Sequence, residues 1–246
     1  MKINQISITI KYSPIVDLQK NYYDKRAILE ADFYPATVFP IPDDGFPEIP
    51  RMVIKSKNGH SEISISRIAM TFSVIKFDNG YESDWDKCVA YVENKMKIIN
   101  NFLNEIIGVN NKFEYCGLIV NLSFDSSGSI CKELSSNLLK NNVDNLFDIN
   151  VRYTFVEDDQ YFVNIQLQNQ RIYNNVKGNI AGELSKENQK DEVIGALIDI
   201  NDRFAFNNDI KYESQISVVS SLINKMSIII KSKLNILING GGYKNV

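Results

Sequence analysis

The chain has 246 residues, 44% hydrophobic and 23% charged, enough to bury a sizeable core as one large or two small domains. A net charge of −3 lacks the basic excess of a nucleic-acid surface, and no apolar run reaches the roughly 18 residues of a membrane span. Cys88, Cys116 and Cys131 are scattered and odd in number, which points to buried thiols and away from disulfides or a metal cage.

Taken in chain order, Ile6, Ile8, Ile10 and Tyr12 alternate with polar residues and predict a half-buried strand. The N-terminus MKINQISITI alternates in this way instead of forming a signal-peptide core, so a cytoplasmic protein is expected. Five of the six prolines follow between Pro35 and Pro50, in the run PATVFPIPDDGFPEIP. Proline fixes φ and removes a donor, which keeps this run out of helix and sheet interiors and predicts an extended arm at residues 35–50. Phe39, Ile41 and Phe46 lie between its prolines, and Asp43, Asp44 and Gly45 make a turn at its tip. Such an arm is either a connector laid over its own domain or a partner-docking element whose stiff backbone loses little entropy on binding.

Residues 53–57 and 61–77 flank Asn58-Gly59, a signal for a hairpin with a type I′ turn. Ile63 and Ile65 are odd, whereas Ile68, Met70, Phe72 and Val74 are even, so a bulge near Ser66 and Arg67 is expected to bend the second arm. Ser83 or Asp84 then caps a helix with apolar residues at Trp85, Val89, Val92, Met96, Ile99, Phe102 and Ile106, ending at Gly108. Further strands are predicted at 113–124, 149–155 and 161–167, the last two joined by the acidic turn Glu157-Asp158-Asp159, read as solvated. A short helix carries Ile130, Leu134 and Leu138. Residues 174–192 are polar and patternless and read as a loop, Ala196, Ile198 and Ile200 resume a strand, and a last helix runs from Ile216 to Leu237.

Residues 1–110 and 111–246 thus each run strand, hairpin, long amphipathic helix. The fold expected is α+β, with two antiparallel-sheet halves, each covered by its helix, and a possible internal duplication. This layout, with the Trp-led helix at Ser83-Asp84-Trp85, the strand Gly195–Asn201 ending Ile198-Asp199-Ile200-Asn201, and the early Pro14-Ile15, resembles a sporadically distributed bacterial family of about this length and unknown function. The resemblance implies a fold layout and no catalytic residue.

A Ser-His-Asp or Cys-His arrangement would have to use the single histidine, His60, at a hairpin tip, a poor place to hold a general base. A magnesium site could draw on Asp199, Asn201 and Asp202, or on Asp43-Asp44 in the arm, although alternation gives Asp199 and Asn201 the solvent face of their strand. Ser127, Gly128 and Ser129 join a strand to a helix start, where backbone donors can hold a phosphate. They lack the Gly-Lys-Ser/Thr of a P-loop, and an N-cap role for Ser129 accounts for the pattern. No cofactor is implied.

Three functions follow. The first is a non-catalytic protein-interaction protein, with Phe39, Ile41, Asp43, Asp44 and Phe46 as the partner surface. Richness in Ile, Asn and Lys, with their A/T-rich codons, points to a low-GC bacterium or phage, with a role in defence or counter-defence as the expectation. The second is a sensor of a small ligand or nucleotide in the cleft between the halves, with residues 174–192 as its lid. The third is a metal-dependent phosphoester enzyme. A homodimer with two-fold symmetry is expected, because free sheet edges and an apolar arm are more hydrophobic edge than a monomer usually leaves open.

Overall fold

In the computed structural model the described residues are 1–42, 45–77, 80–107, 113–125, 128–140, 143, 145–173 and 189–243. Among them, nine strands form one antiparallel sheet: β1 (Lys2–Lys11), β2 (Thr37–Val38), β3 (Met52–Lys55), β4 (Ser61–Ile65), β5 (Ala69–Val74), β6 (Tyr115–Phe124), β7 (Asn150–Glu157), β8 (Tyr161–Tyr173) and β9 (Gln189–Asn201). The spatial order is β2-β3-β4-β5-β1-β6-β9-β8-β7. The fold is α+β, but the two sheets expected from the sequence are one. Their first strands join them, since β1 and β6 pair from Lys2↔Ser123 to Lys11↔Tyr115. Outward from that central pair the order is β1, β5, β4, β3 on one side and β6, β9, β8, β7 on the other.

Alternation sets the two faces of the sheet. Ile8 and Ile10 of β1, Phe72 of β5, Leu118 and Val120 of β6 and Ile198 of β9 are buried in one hydrophobic cluster. Their neighbours on the other face are polar: Ser7 pairs with Ser73 and Thr9 with Thr71 through their hydroxyls, at 2.9 and 3.1 Å. The register of β1 slips at Asn4, which brings Ile3 and Ile6 to the same buried face despite their odd spacing.

Helices α1 (Leu18–Lys25), α2 (Trp85–Ile107), α3 (Ile130–Leu134), α4 (Arg203–Asn208), α5 (Ile216–Ile228) and α6 (Leu234–Ile238) complete the chain, the last two joined by the π-helical turn Ile229–Lys233. Asp84 caps α2, its Oδ1 accepting the Lys87 N–H at 3.1 Å, and the predicted stripe from Trp85 to Ile106 lies on the core. Trp85 is buried, and its indole N–H donates to Ser227 Oγ of α5 at 2.8 Å, so it ties the two long helices together. Gly108 lies outside the described residues. Helices α1 and α4 have no counterpart in the sequence reading; α1 buries only Leu18 and Tyr22, too few apolar positions for a visible stripe.

Two turns differ from expectation. The phase change at Ser66 marks a full reversal, because β4 and β5 pair with each other from Ser61↔Val74 to Ile65↔Met70. Ser66 replaces the turn chemistry that glycine would supply: its Oγ accepts the N–H groups of Ile68 (3.3 Å) and Ala69 (3.0 Å). At Asn58-Gly59 only Gly59 has positive φ, and the loop spans four residues between Ser56 and Ser61. Type I′ geometry occurs instead at Asp158 and Asp159, with φ of 54° and 50°.

Candidate functional site

The proline run is not an extended arm throughout. Thr37 and Val38 pair with β3 as an edge strand, and the chain then makes two successive turns, closed by Gly45 N–H to Pro42 O (3.0 Å) and Ile49 N–H to Phe46 O (3.2 Å). Both wrap the guanidinium of Arg51, which is only 2% exposed. Its Nη2 donates to Pro42 O (3.2 Å) and Gly45 O (3.3 Å), the ends of the first turn; Nη1 donates to Phe46 O (3.3 Å) and Ile49 O (3.0 Å), the ends of the second. A planar fork of donors suits this double capture, which a lysine could not reproduce. The Nε of Arg51 has no acceptor. The Arg67 N–H donates to Pro47 O at 3.1 Å and the Phe39 N–H to Arg51 O at 2.8 Å, fastening the arm to its own sheet.

What this frame leaves outside is apolar. Phe46 is 76% exposed, Ile49 41% and Phe39 39%. Ile41 is half-buried and, with Pro42, Arg51, Arg67, Leu18 and Lys20, lines a cavity of about 600 Å3 beneath the arm. Asp43 and Asp44, the remaining partner-surface residues named from the sequence, lie outside the described residues.

The other predicted positions do not converge. Asp199 and Asn201 stand on the open face of β9, where Asp199 accepts from Asn164 Nδ2 (3.2 Å) and Asn201 Nδ2 (3.0 Å). Asp202 points the other way and is fully buried; it accepts the Cys116 N–H (2.6 Å), the Tyr212 hydroxyl (2.7 Å) and the Ser214 hydroxyl. Three donors on one carboxylate make it a structural tie between β6 and the segment before α5, and no cluster of metal-ligating side chains occurs among the described residues. Ser129 stands at the N-cap of α3, but its side chain makes no capping hydrogen bond, and Gly128 precedes it in a bend. Ser127 and residues 174–188 lie outside the described residues, while 189–192 belong to β9.

The acidic turn is not simply solvated. The Glu157 carboxylate is held by Lys225 Nζ (3.2 Å), Lys233 Nζ (3.3 Å) and the Tyr243 hydroxyl (2.6 Å), and Asp158 by Lys225 (2.6 Å). Burial pushes the Glu157 carboxyl up, but these partners outweigh it and hold it below the ordinary value. Lys233 sits on the π-helical turn, and the Tyr243 ring stacks on Phe155 at 4.0 Å, so the cluster fastens the C-terminal segment to the β7–β8 hairpin. Nothing in the sequence marks it, because its members lie far apart in the chain.

The histidine sits where expected, in the β3–β4 loop, its ring edge-on to Tyr91 at 6.4 Å. All three cysteines are free and buried, and burial pushes the Cys88 and Cys116 thiols up to about 12, which makes neither a thiolate nucleophile near neutral pH. No helix among the described residues is long and apolar enough to cross a membrane.

No model of a known protein family matches this chain, and no curated protein matches it either.

Proposed function

We propose that the chain is a non-catalytic protein-interaction protein whose partner docks on the arm at Phe39, Phe46 and Ile49. One observation carries this reading: the arm's backbone is fastened by the buried Arg51, while its largest apolar side chains face solvent. A rigid frame presenting exposed rings loses little entropy on binding, and interface aromatics carry a disproportionate share of affinity. Action in bacterial defence or phage counter-defence, and kinship with the sporadic bacterial family that the layout resembles, belong to the same proposal. So does internal duplication, supported by the matched strand order on the two sides of the β1–β6 pair.

The test compares wild type with the Phe39→Ala/Phe46→Ala double variant as baits in lysate of the source cell. A protein retained by wild type alone is then purified and its affinity for both measured. A loss of about tenfold or more in the variant supports the reading; identical retention by both baits overturns it.

A second reading, a sensor of a small ligand or nucleotide, is favoured by one feature. A cavity of about 310 Å3 lies between α2 and α5, lined by Lys97, Asn100, Ser217 and Ser220 among others, and Asn100 Oδ1 is buried there without a hydrogen-bond partner. A thermal-shift screen with nucleotides separates the two readings: a shift abolished by Asn100→Ala supports the sensor.

A further inference from the structure

The two edges of the sheet are treated differently. At one edge β2 is two residues long, lies between Pro35 and Pro40, and leads into the fastened arm. Proline and brevity are standard protection against strand addition. At the other edge β7 runs for eight residues without proline, glycine or bulge, paired with β8 at every position from Asn150↔Gln168 to Glu157↔Tyr161.

The ladder fixes which backbone groups of β7 are free. Asn169 N–H donates to Ile149 O at 3.2 Å, so the odd-numbered residues bond to β8. The N–H and C=O groups of Asn150, Arg152, Thr154 and Val156 therefore point away from the sheet, and no described strand pairs with them. The side chains beside this free ladder are apolar on the helix side: Val151, Tyr153 and Phe155 are only half-buried, with the Tyr153 and Phe155 rings stacked at 6.2 Å.

We propose that β7 is a dimerisation edge, and that its occupant is β7 of a second copy, antiparallel about a two-fold axis. This surface is separate from the arm and does not rest on the function proposed above. Chemistry selects both occupant and register. Facing residues must share a side of the sheet, so the axis passes through a residue. An axis at Arg152 sets like charges opposite each other, and one at Thr154 sets Val151 against the Glu157 carboxylate. An axis at Tyr153 keeps Arg152 off its own copy and moves Glu157 past the end of the partner's β7, opposite Ile149, so that no apolar residue within β7 faces the carboxylate. It places Tyr153 against its own copy, Val151 against Phe155, Arg152 against Thr154 and Asn150 against Val156, and it satisfies all the outward groups of those four even-numbered residues. The half-buried apolar row of each copy then meets that of the other.

The register gives a positional test. The Tyr153 pair is non-hydrogen-bonded, with Cα atoms about 4.5 Å apart, within disulfide range. Thr154 and its copy are offset by two residues and stand about 8 Å apart, beyond that range. On mild oxidation Tyr153→Cys should cross-link into a dimer and Thr154→Cys should not; the native cysteines are buried and give no background. By light scattering at tens of micromolar, wild type should show twice 28.1 kDa. Thr154→Pro should show the monomer mass, because the N–H that it removes points outward and its loss leaves the β8 ladder intact. Tyr153→Lys, which sets two like charges opposite each other at the axis, supplies the same readout should the proline variant fail to fold. A wild-type monomer, a dimer that survives Thr154→Pro and Tyr153→Lys, or equal cross-linking at positions 153 and 154 would each overturn the proposal.

Discussion

Glu157 shows how a residue that reads as solvent-facing can become a tie point. Its carboxylate holds Lys225, Lys233 and Tyr243, which come from α5, the π-helical turn and the C-terminal segment. Because its folded pKa is depressed, this stability is complete above the ordinary value of 4.5 and is lost as pH falls through the folded pKa. The melting-temperature gap between wild type and Glu157→Gln should thus be constant near neutrality and close as the solution is acidified below 4.5. A gap that widens on acidification would refute this assignment. At neutral pH the variant leaves Lys233 without its carboxylate and Lys225 with Asp158 alone, and it should lose stability toward the low end of the roughly 3–5 kcal/mol seen on breaking buried pairs. Trp85 is the second such residue. Trp85→Ala should cost about 3–5 kcal/mol by cavity formation, and Trp85→Phe, which keeps most of the volume but loses the bond to Ser227, about 1 kcal/mol more than a volume-neutral swap. Denaturant titration of both variants checks the order.

At the scale of the element, the arm separates frame from surface. Phe39→Ala and Phe46→Ala remove side chains that are already exposed, so each should leave the melting temperature near that of wild type, within about 0.5 kcal/mol. Arg51→Ala should behave oppositely, because four carbonyls each lose a donor, although Pro42 O and Phe46 O keep their turn-closing bonds, and a buried volume opens, at a cost above about 3 kcal/mol. Arg51→Lys should fall between them, since one ammonium cannot span two turns. Limited proteolysis within residues 39–49 reads the same contrast locally: faster cleavage is expected in the Arg51 variants and not in the phenylalanine variants. Equal destabilisation by all four would mean that the rings are structural, and would remove the ground for docking on the arm.

For the whole molecule, the β1–β6 pair decides cooperativity. The two halves share a sheet centre, a single hydrophobic cluster and the Trp85–Ser227 bond, so neither can open without exposing the strand that the other covers. Calorimetry should give one unfolding transition with equal calorimetric and van't Hoff enthalpies. Fragments 1–110 and 111–246, separately expressed, should each expose an apolar strand edge and aggregate or fail to fold. Two resolved transitions would show that the halves are independent domains.

Periodicity is local, and what is local was legible. The alternation of Ile6, Ile8 and Ile10, the three-and-four spacing from Trp85 to Ile106 and the phase change at Ser66 placed most strands, the long helix α2 and the buried face, because neighbouring positions alone decide which side chains share a face. The phase change located a break without distinguishing bulge from reversal, since Ser66 supplies turn bonds that carry no Gly or Pro signature. The exposed rings of the arm were legible, as candidates, from proline spacing alone. Tertiary structure decided the rest. It made one sheet of two, drew the arm into turns around Arg51, turned Asp202 away from Asp199, and brought Lys225, Lys233 and Tyr243 to Glu157 across 68, 76 and 86 residues of chain. Such meetings depend on which strands become neighbours, and any polar residue reads as solvent-facing until the fold has chosen its partner.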